Sequence, residues 1–392
     1  MKKILAALSL ATVCGLVQAQ SSVTVYGILD TGYTGSNQSL TSTAGAAPTK
    51  TTINQFGQGM QSTNRLGFKG NEDMGGGTSA VFTVEFALYP EDQNLSGSSN
   101  SGLLNRQAFV GLKQAGVGTG AIGRQLTPIW NQYSKTTPTG TNNVVGDVIY
   151  AASTSGGAGT STGTVVTGQE NGIGFTNRAS NALTFISDNF NGFSAQGLYA
   201  LNNKNTTQTA AATGGETNTS GYGLAVDYTY GKFFATLAQQ SFTQFTTGTA
   251  TSFTDMNQGT FVSAKDLQNF AGASYDFGVL KAYAQYVNRT ITSTIDSSQF
   301  AKRSAQQIGV RGFATTQIEP WVTVGNGKFD QYASTTGSVN FTAYQVGSNY
   351  WLSKRTNLYG IFGSTQSSGN PATTAGAGSS KNQYAVGLRH TF

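Results

Sequence analysis

Short and long connections alternate without exception along this chain, and that regularity restricts its fold more than any single motif. Segments of period two recur from end to end. Phe82, Val84, Phe86 and Leu88 share one face, against Val81, Thr83, Glu85 and Ala87 on the other, the signature of a strand with one apolar side. Tyr222, Leu224, Val226, Tyr228 and Tyr230 stand opposite Gly223, Ala225, Asp227 and Thr229, and Leu280, Ala282, Ala284 and Tyr286 stand opposite Lys281, Tyr283 and Gln285. Around Ala108 to Lys113 the alternation is too irregular to assign faces. Tight turns fall near Asn71–Gly77, Ala115–Gly118, Asn191–Gly192, Gly231, Asp276–Gly278, Thr316–Pro320 and Ser353–Asn357. Long polar segments fall near 36–61, 91–103, 127–177, 202–219, 241–267, 289–302, 331–340 and 364–381. Seven short connections and eight long ones separate sixteen strands. A β-sandwich has no reason to gather every long loop at one end. An antiparallel barrel crossing an outer membrane does, with short periplasmic turns and long external loops.

The chain ends on "NQYAVGLRHTF", with Tyr384, Val386, Leu388 and Phe392 in one phase up to the last residue. A terminus that keeps an apolar face is paired, because free ends fray. A barrel removes sheet edges only when its last strand meets its first, so "SSVTVYGILDTGY" is expected to close against this terminus. Pro48, Pro128, Pro138 and Pro371 fall in long loops, Pro90 closes a strand and Pro320 lies in a turn. None deletes a ladder hydrogen bond. Trp321 and Trp351 both flank tight turns, which predicts places in an interfacial aromatic girdle.

The first residues, "MKKILAALSLATVCGLVQAQ", combine two lysines, an apolar run and small residues before Ala19. This is the layout of a secretory signal peptide, expected over 1–19, with a single barrel domain over 20–392. The one cysteine, Cys14, leaves with the leader, so the exported chain uses no disulfide. Losing Lys2 and Lys3 lowers the formal charge from +6 to +4. The remaining basic residues arrive singly, with no nucleic-acid patch. Charged residues are only 10% of the chain.

Several stretches resemble the trimeric general diffusion porins of Gram-negative outer membranes, most closely the β-proteobacterial branch. They are "VTVYGILDTGY", "NRLGFKGNEDMGGG", "RQAFVGLKQAGVGTGAIGRQ" and the terminal "YAVGLRHTF". The resemblance implies an all-β fold, a 16-stranded antiparallel transmembrane β-barrel whose third long loop folds inward and narrows the pore. It implies a homotrimer in the cell outer membrane, in contact with outer-membrane lipid and lipopolysaccharide and delivered by the barrel-assembly machinery through Phe392. It also implies a constriction in which acidic loop residues face basic wall residues. The third long segment is 127–177; its acidic residues are Asp147 and Glu170 and its basic residue is Lys135. On the wall, Arg65 of "NRLGFKG", Arg106 of "NRQAFVG" and Arg124 of "GRQ" match the family's arginines, and Arg178 of "TNRASN" matches more loosely. The lysine often found in the first strand is replaced by Ile28.

The arginines make sense without the family. Arg65 and Lys69 share a phase opposite Leu66 and Phe68, so the apolar pair faces lipid and the charges face water. The reverse would cost roughly 2–4 kcal/mol per charge at the bilayer midplane. A basic wall opposite a sparsely acidic loop predicts a water-filled channel for passive diffusion of small hydrophilic solutes and ions, with weak to moderate anion preference. A barrel hydrolase is disfavoured: His390 is the only histidine, and its phase directs it outward at the rim. No cofactor is expected, and metal sites are starved of His and Cys ligands. A substrate-specific porin or a surface adhesin remains as an alternative, since Gly/Ser/Thr-rich loops suit either. "GLKQAGVG" and "NEDMGGG" are turns rather than phosphate loops, since neither opens a helix.

Overall fold

The structure is a computed structural model, and it describes residues 22–40, 47–95, 97, 102–150, 178–206, 215–246, 263–331, 338–368 and 378–392. The expected signal peptide lies outside these residues. Seventeen strands form one antiparallel sheet. They are β1 (Ser22–Leu40), β2 (Thr49–Gln58), β3 (Arg65–Gly75), β4 (Thr78–Ala87), β5 (Asn105–Gln114), β6 (Gly118–Leu126), β7 (Arg178–Ser187) and β8 (Phe193–Thr206). After them come β9 (Gly215–Tyr230), β10 (Phe233–Thr246), β11 (Ala264–Asp276), β12 (Leu280–Ser293), β13 (Phe300–Gly312), β14 (Ile318–Gln331), β15 (Val339–Trp351), β16 (Thr356–Ser367) and β17 (Ser379–Thr391). Among the described residues the only helix is α1 (Pro128–Thr136), between β6 and β7.

The sheet closes. Ile28 to Leu40 of β1 pair with Thr391 to Ser379 of β17, and Gly27 and Phe392 exchange both backbone hydrogen bonds at 3.0 and 3.1 Å. On its other side β1 pairs first with β3, over Ser22 to Ile28, and then with β2, over Thr31 to Leu40. β2 and β3 are therefore two halves of one barrel strand, interrupted by 59–64. Seventeen segments occupy sixteen positions, as the alternating connections predict.

The interruption has a local cause. Gly59 adopts a left-handed φ of 67°, which ends the ladder at little steric cost. The amides freed there are taken by the buried Asp30, whose Oδ2 accepts from Gln61 N and Ser62 N at 2.7 and 2.6 Å. Tyr359 Oη donates to the other carboxylate oxygen at 2.7 Å. Met60 is thereby carried into the lumen, against Val144, Trp321, Tyr359, Ile361 and Ala385.

Three readings change. The polar stretch 36–61 is strand rather than loop over β1's upper end and all of β2, and β12 and β13 likewise consume most of 289–302. Beyond the bilayer both faces of a strand meet water, so the hydrogen-bond ladder continues after apolar alternation has stopped. Trp321 and Trp351 point into the barrel: the Trp321 side chain is buried and donates to Gln345 Oε1 at 3.0 Å, and Trp351 donates to Glu319 Oε2 at 2.9 Å. An indole N–H needs an acceptor, and inward-facing Gln and Glu provide one. The exposed outer aromatics are Tyr and Phe, among them Tyr199, Tyr230, Tyr275, Phe277 and Phe313.

Candidate functional site

The third long connection enters the barrel. Thr127 caps α1, its Oγ1 accepting from Trp130 N at 3.3 Å, and Pro128 occupies the first turn, where its missing N–H costs nothing. From 127 to 150 the chain lies along the inside of β8–β17. Two features of the wall let it sit there. Glycines remove side chains under it: a Cβ at Gly223 would press Pro128, one at Gly309 would press Pro138, and one at Gly325 or Gly363 would overlap Val148 or the Val145 carbonyl. Glutamines then reach it. Gln285 Nε2 donates to Tyr133 O and Thr136 Oγ1 at 3.3 and 3.1 Å. Gln307 accepts from Val148 N at 2.9 Å, Gln345 exchanges hydrogen bonds with Asn142, and Gln383 accepts from Val145 N at 3.2 Å. Glutamine suits this work because its amide both donates and accepts, as a backbone does.

Two arginines of β13 fasten the same segment. Arg303 donates to the carbonyls of Val148 and Ile149, and Arg311 donates to Pro138 O at 3.2 Å while holding Glu319 through two nitrogens at 2.7 and 2.9 Å. The segment also meets the strand interruption: Asn143 donates from its backbone to Met60 O at 2.9 Å and from its side chain to Gly59 O at 2.6 Å.

Asp147 organises the inserted segment. It is buried and accepts from Tyr133 Oη at 2.8 Å, Thr137 and Thr139 hydroxyls at 3.2 and 3.3 Å, Gln307 Nε2 at 3.1 Å and Ile149 N at 2.8 Å. Among the described residues no ion pair joins it to the arginines expected to face it. Glu170 lies outside the described residues. Lys135 extends from the last turn of α1 to Asp227 of β9, 2.6 Å away.

The opposite wall carries the four expected arginines, and three of them act on one carboxylate, Glu85, which alternation along β4 turns inward. Glu85 of β4 is 3% exposed. Arg106 Nε meets it at 2.7 Å, Arg65 approaches to 3.9 Å and Tyr26 Oη donates at 3.1 Å. Arg178 is buried and its charge also acts on Glu85. Arg124 donates to Asn105 O at 3.0 Å and Ser180 Oγ at 2.8 Å.

Two irregularities of the sheet shape this wall. Glu85 is opposite Gln107 and Phe86 is opposite Asn105, leaving Arg106 as the extra residue of a bulge. Counting by twos from the exposed Leu112 and Val110 would turn Arg106 toward lipid; the bulge reverses it. A second shift lies between Gly123/Ala182 and Gln125/Ala179, with Asn181 at φ 51°, beside Arg124. The arrangement is a wet passage narrowed from one side by a neutral, internally bonded segment and lined on the other by guanidinium groups around a single carboxylate.

His390 is exposed on the outer face of β17, its Nδ1 2.8 Å from Thr356 Oγ1, as its phase predicts.

Comparison with known proteins agrees with the barrel. Residues 6–370 match the family model described as Gram-negative porin. The chain is similar to outer membrane porin protein 32 of Delftia acidovorans, 30% identical with all of both chains covered. It is also similar to the major outer membrane protein P.IB of Neisseria meningitidis serogroup B, 37% identical over 32% of this chain and 34% of that one. Among solved structures, the anion-selective porin from Comamonas acidovorans superposes with a TM-score of 0.68, at 24% identity, covering 95% of this chain and all of the other. The OmpF of Salmonella typhi gives 0.59 at 17% identity, covering 96% and 99%; these two likenesses bear on the fold. With a closed sixteen-position barrel, an inward third loop and a family match across nearly its whole length, the chain belongs to the Gram-negative porins of the outer membrane.

Proposed function

We propose that this porin is a passive, non-enzymatic diffusion channel with weak to moderate preference for anions, and that Arg65, Arg106, Arg124 and Arg178 supply the preference. One observation carries the reading: among the described residues of the β3–β7 wall, Arg65, Arg106 and Arg178 act on a single carboxylate, Glu85, with Arg124 beside them on β6. Asp147, the loop's described carboxylate, is bound by the loop's own hydroxyls, so it acts as the organiser of the constriction more than as the cathode across it. A surplus of fixed positive charge in a narrow aqueous passage raises the local anion concentration and lowers that of cations. The Comamonas relative of matching fold is described as anion-selective, which supports the same sign here.

Reversal potentials in a KCl gradient test this. The wild type should favour chloride, and the combined Arg65→Gln, Arg106→Gln and Arg124→Gln variant should move toward no preference or toward cations. A wild type that favours potassium overturns the reading.

The chain works as a homotrimer of separate pores, exported with residues 1–19 removed and assembled through its terminal Phe392. Support comes from its family, from a structural neighbour described as a trimer form and from the terminal aromatic. It sits among outer-membrane phospholipid and lipopolysaccharide.

A further inference from the structure

The inserted segment carries three aromatic rings packed on one another. Trp130 lies 5.2 Å from Tyr133 and 6.2 Å from Tyr150, and Tyr133 meets Tyr150 edge-on at 5.0 Å, centre to centre. Tyr133 is buried and its hydroxyl is held by Asp147. Trp130 and Tyr150 keep part of their surface open. The exposed Ser134 lies one helical turn on from Trp130, so both stand on the face of α1 that is turned away from the wall. Aromatic surface left open inside a wet passage is a surface on which another flat ring is stabilised.

Beside the rings stands a pair of like charges. Tyr150 Oη donates to Gln268 Oε1 at 3.3 Å. Gln268 is opposite Arg289 in the ladder of β11 and β12, and Arg289 is opposite Arg303 in that of β12 and β13. Like charges directly opposite across a ladder destabilise it. Asp266 answers one of them: its carboxylate lies 3.1 Å from Arg289 Nε and 2.8 Å from Nη2. Among the described residues Arg303 makes no ion pair. It donates to the carbonyls of Val148 and Ile149, and its guanidinium carbon lies 4.8 Å from the centre of the Phe341 ring. Asp147 acts on Arg303 only from beyond ion-pair contact, and its oxygens are already bound within the segment. The charges of Arg289 and Arg303 both act on Tyr150. Tyr150 therefore spans the interval between an open indole and a guanidinium that no carboxylate touches.

An aromatic face next to a guanidinium without a counter-ion is the recognition chemistry for a flat ring that carries an acid. We propose that the lumen holds a binding step for aromatic carboxylates here, with the ligand's ring on Trp130 and Tyr150 and its carboxylate on Arg303, Arg289 adding its field. The site rests on the anion preference argued above and deepens it, by naming a class of anion that the passage retains as well as admits. Arg289 and Arg303 lie near the ends of β12 and β13 that the connection 294–299 joins. That is the end of the long connections, which faces the outside, so the site stands on the external side of the barrel.

Current through the full chain in a planar bilayer, bathed in dilute KCl, is titrated with benzoate, with cyclohexanecarboxylate and with benzyl alcohol. Block and excess current noise are read as a half-effect concentration. The two acids share a charge and nearly a size, and only benzoate has a π face. Pairing of aromatic rings exceeds plain apolar contact by about two- to tenfold in affinity, so benzoate should act at a concentration lower by that factor. Benzyl alcohol, which lacks the charge, should act several-fold more weakly than benzoate. Trp130→Leu should bring benzoate to the level of cyclohexanecarboxylate. Arg303→Gln keeps an amide donor for the Val148 and Ile149 carbonyls; it should weaken both acids by about fivefold and leave their ratio unchanged. The proposal is overturned if the two acids act alike on wild type, if benzyl alcohol matches benzoate, or if Trp130→Leu keeps the wild-type ratio. The first two comparisons use unaltered protein and so do not depend on a variant folding. Reversal potentials of the same membranes report the anion reading separately: chloride preference without aromatic discrimination sinks this site alone, and potassium preference sinks the reading on which it rests.

Discussion

Glu85 sets the balance of the basic wall. Alternation along β4 places it inward beside Thr83, and that much is legible from sequence. Its company is not, because Arg106 reaches it only through a bulge that reverses the strand's phase, and a one-residue irregularity has no periodic signature. The resemblance found Arg106 where periodicity could not. A carboxylate held by Arg106 at 2.7 Å and approached by Arg65 at 3.9 Å cancels part of the field that passing ions meet. Replacing Glu85 by Gln keeps the shape and deletes one negative charge. At about 5–8 Å in water-like surroundings a unit charge is worth roughly 0.5–0.8 kcal/mol. Chloride gains and potassium loses by that amount, so the chloride-to-potassium permeability ratio should rise about five- to fifteenfold in dilute KCl and less at 1 M, where screening is strong. A fall in the ratio would mean that Glu85 matters chiefly by holding the guanidinium groups in place.

The inserted loop segment is an element whose seat was partly written in the sequence. Its place as the third long connection, read through the resemblance, marks it, whereas the helix at Pro128–Thr136 has no counterpart in the sequence reading. The wall that receives it was not legible, since Gly325, Gly363, Gln307 and Gln345 are each unremarkable in their own strands and become a groove and its grips only when β13–β16 stand side by side. The partners of Asp147 were hidden for the same reason: a carboxylate in a loop looks free until its hydroxyl partners are in place. Removing it by Asp147→Ala would leave the buried Tyr133, Thr137 and Thr139 hydroxyls with weakened hydrogen bonding, at about 1–3 kcal/mol per unsatisfied group. Single-channel traces of that variant should show larger, noisier openings while the barrel's resistance to SDS stays intact. Gly325→Val attacks the same seat from the wall, by overlap with Val148, and should give the same larger openings. Unchanged conductance in both variants would show that the segment does not limit flow.

At the scale of the whole molecule, closure is what turns sixteen strand positions into a channel. It was the most legible property of all, because an alternating terminus with no partner in sequence must find one in space. The seam is made by β1 and β17 in register from Ile28 with Thr391 to Leu40 with Ser379, and it is finished by Phe392. The ring of that residue covers Gly27, where even a Cβ would overlap it, so the glycine is the socket for the last side chain. Two roles for Phe392 make different demands. If it serves the seam, Phe392→Ala should lower the stability of the folded barrel anywhere; losing a large buried aromatic costs about 3–5 kcal/mol, and this ring, 41% exposed on the lipid side, should cost less. If it serves delivery, the variant should refold from denaturant in detergent with normal conductance and yet accumulate poorly in the outer membrane of cells. The backbone bonds between Gly27 and Phe392 survive the substitution, and twelve further register pairs remain beyond Ile28 and Thr391, so the seam should hold. The expected result is thus near-normal refolding, measured by the heat-dependent shift in gel migration, with a several-fold lower level in membranes. Equal losses in both settings would assign Phe392 to the seam, with recognition left to another part of the last strand.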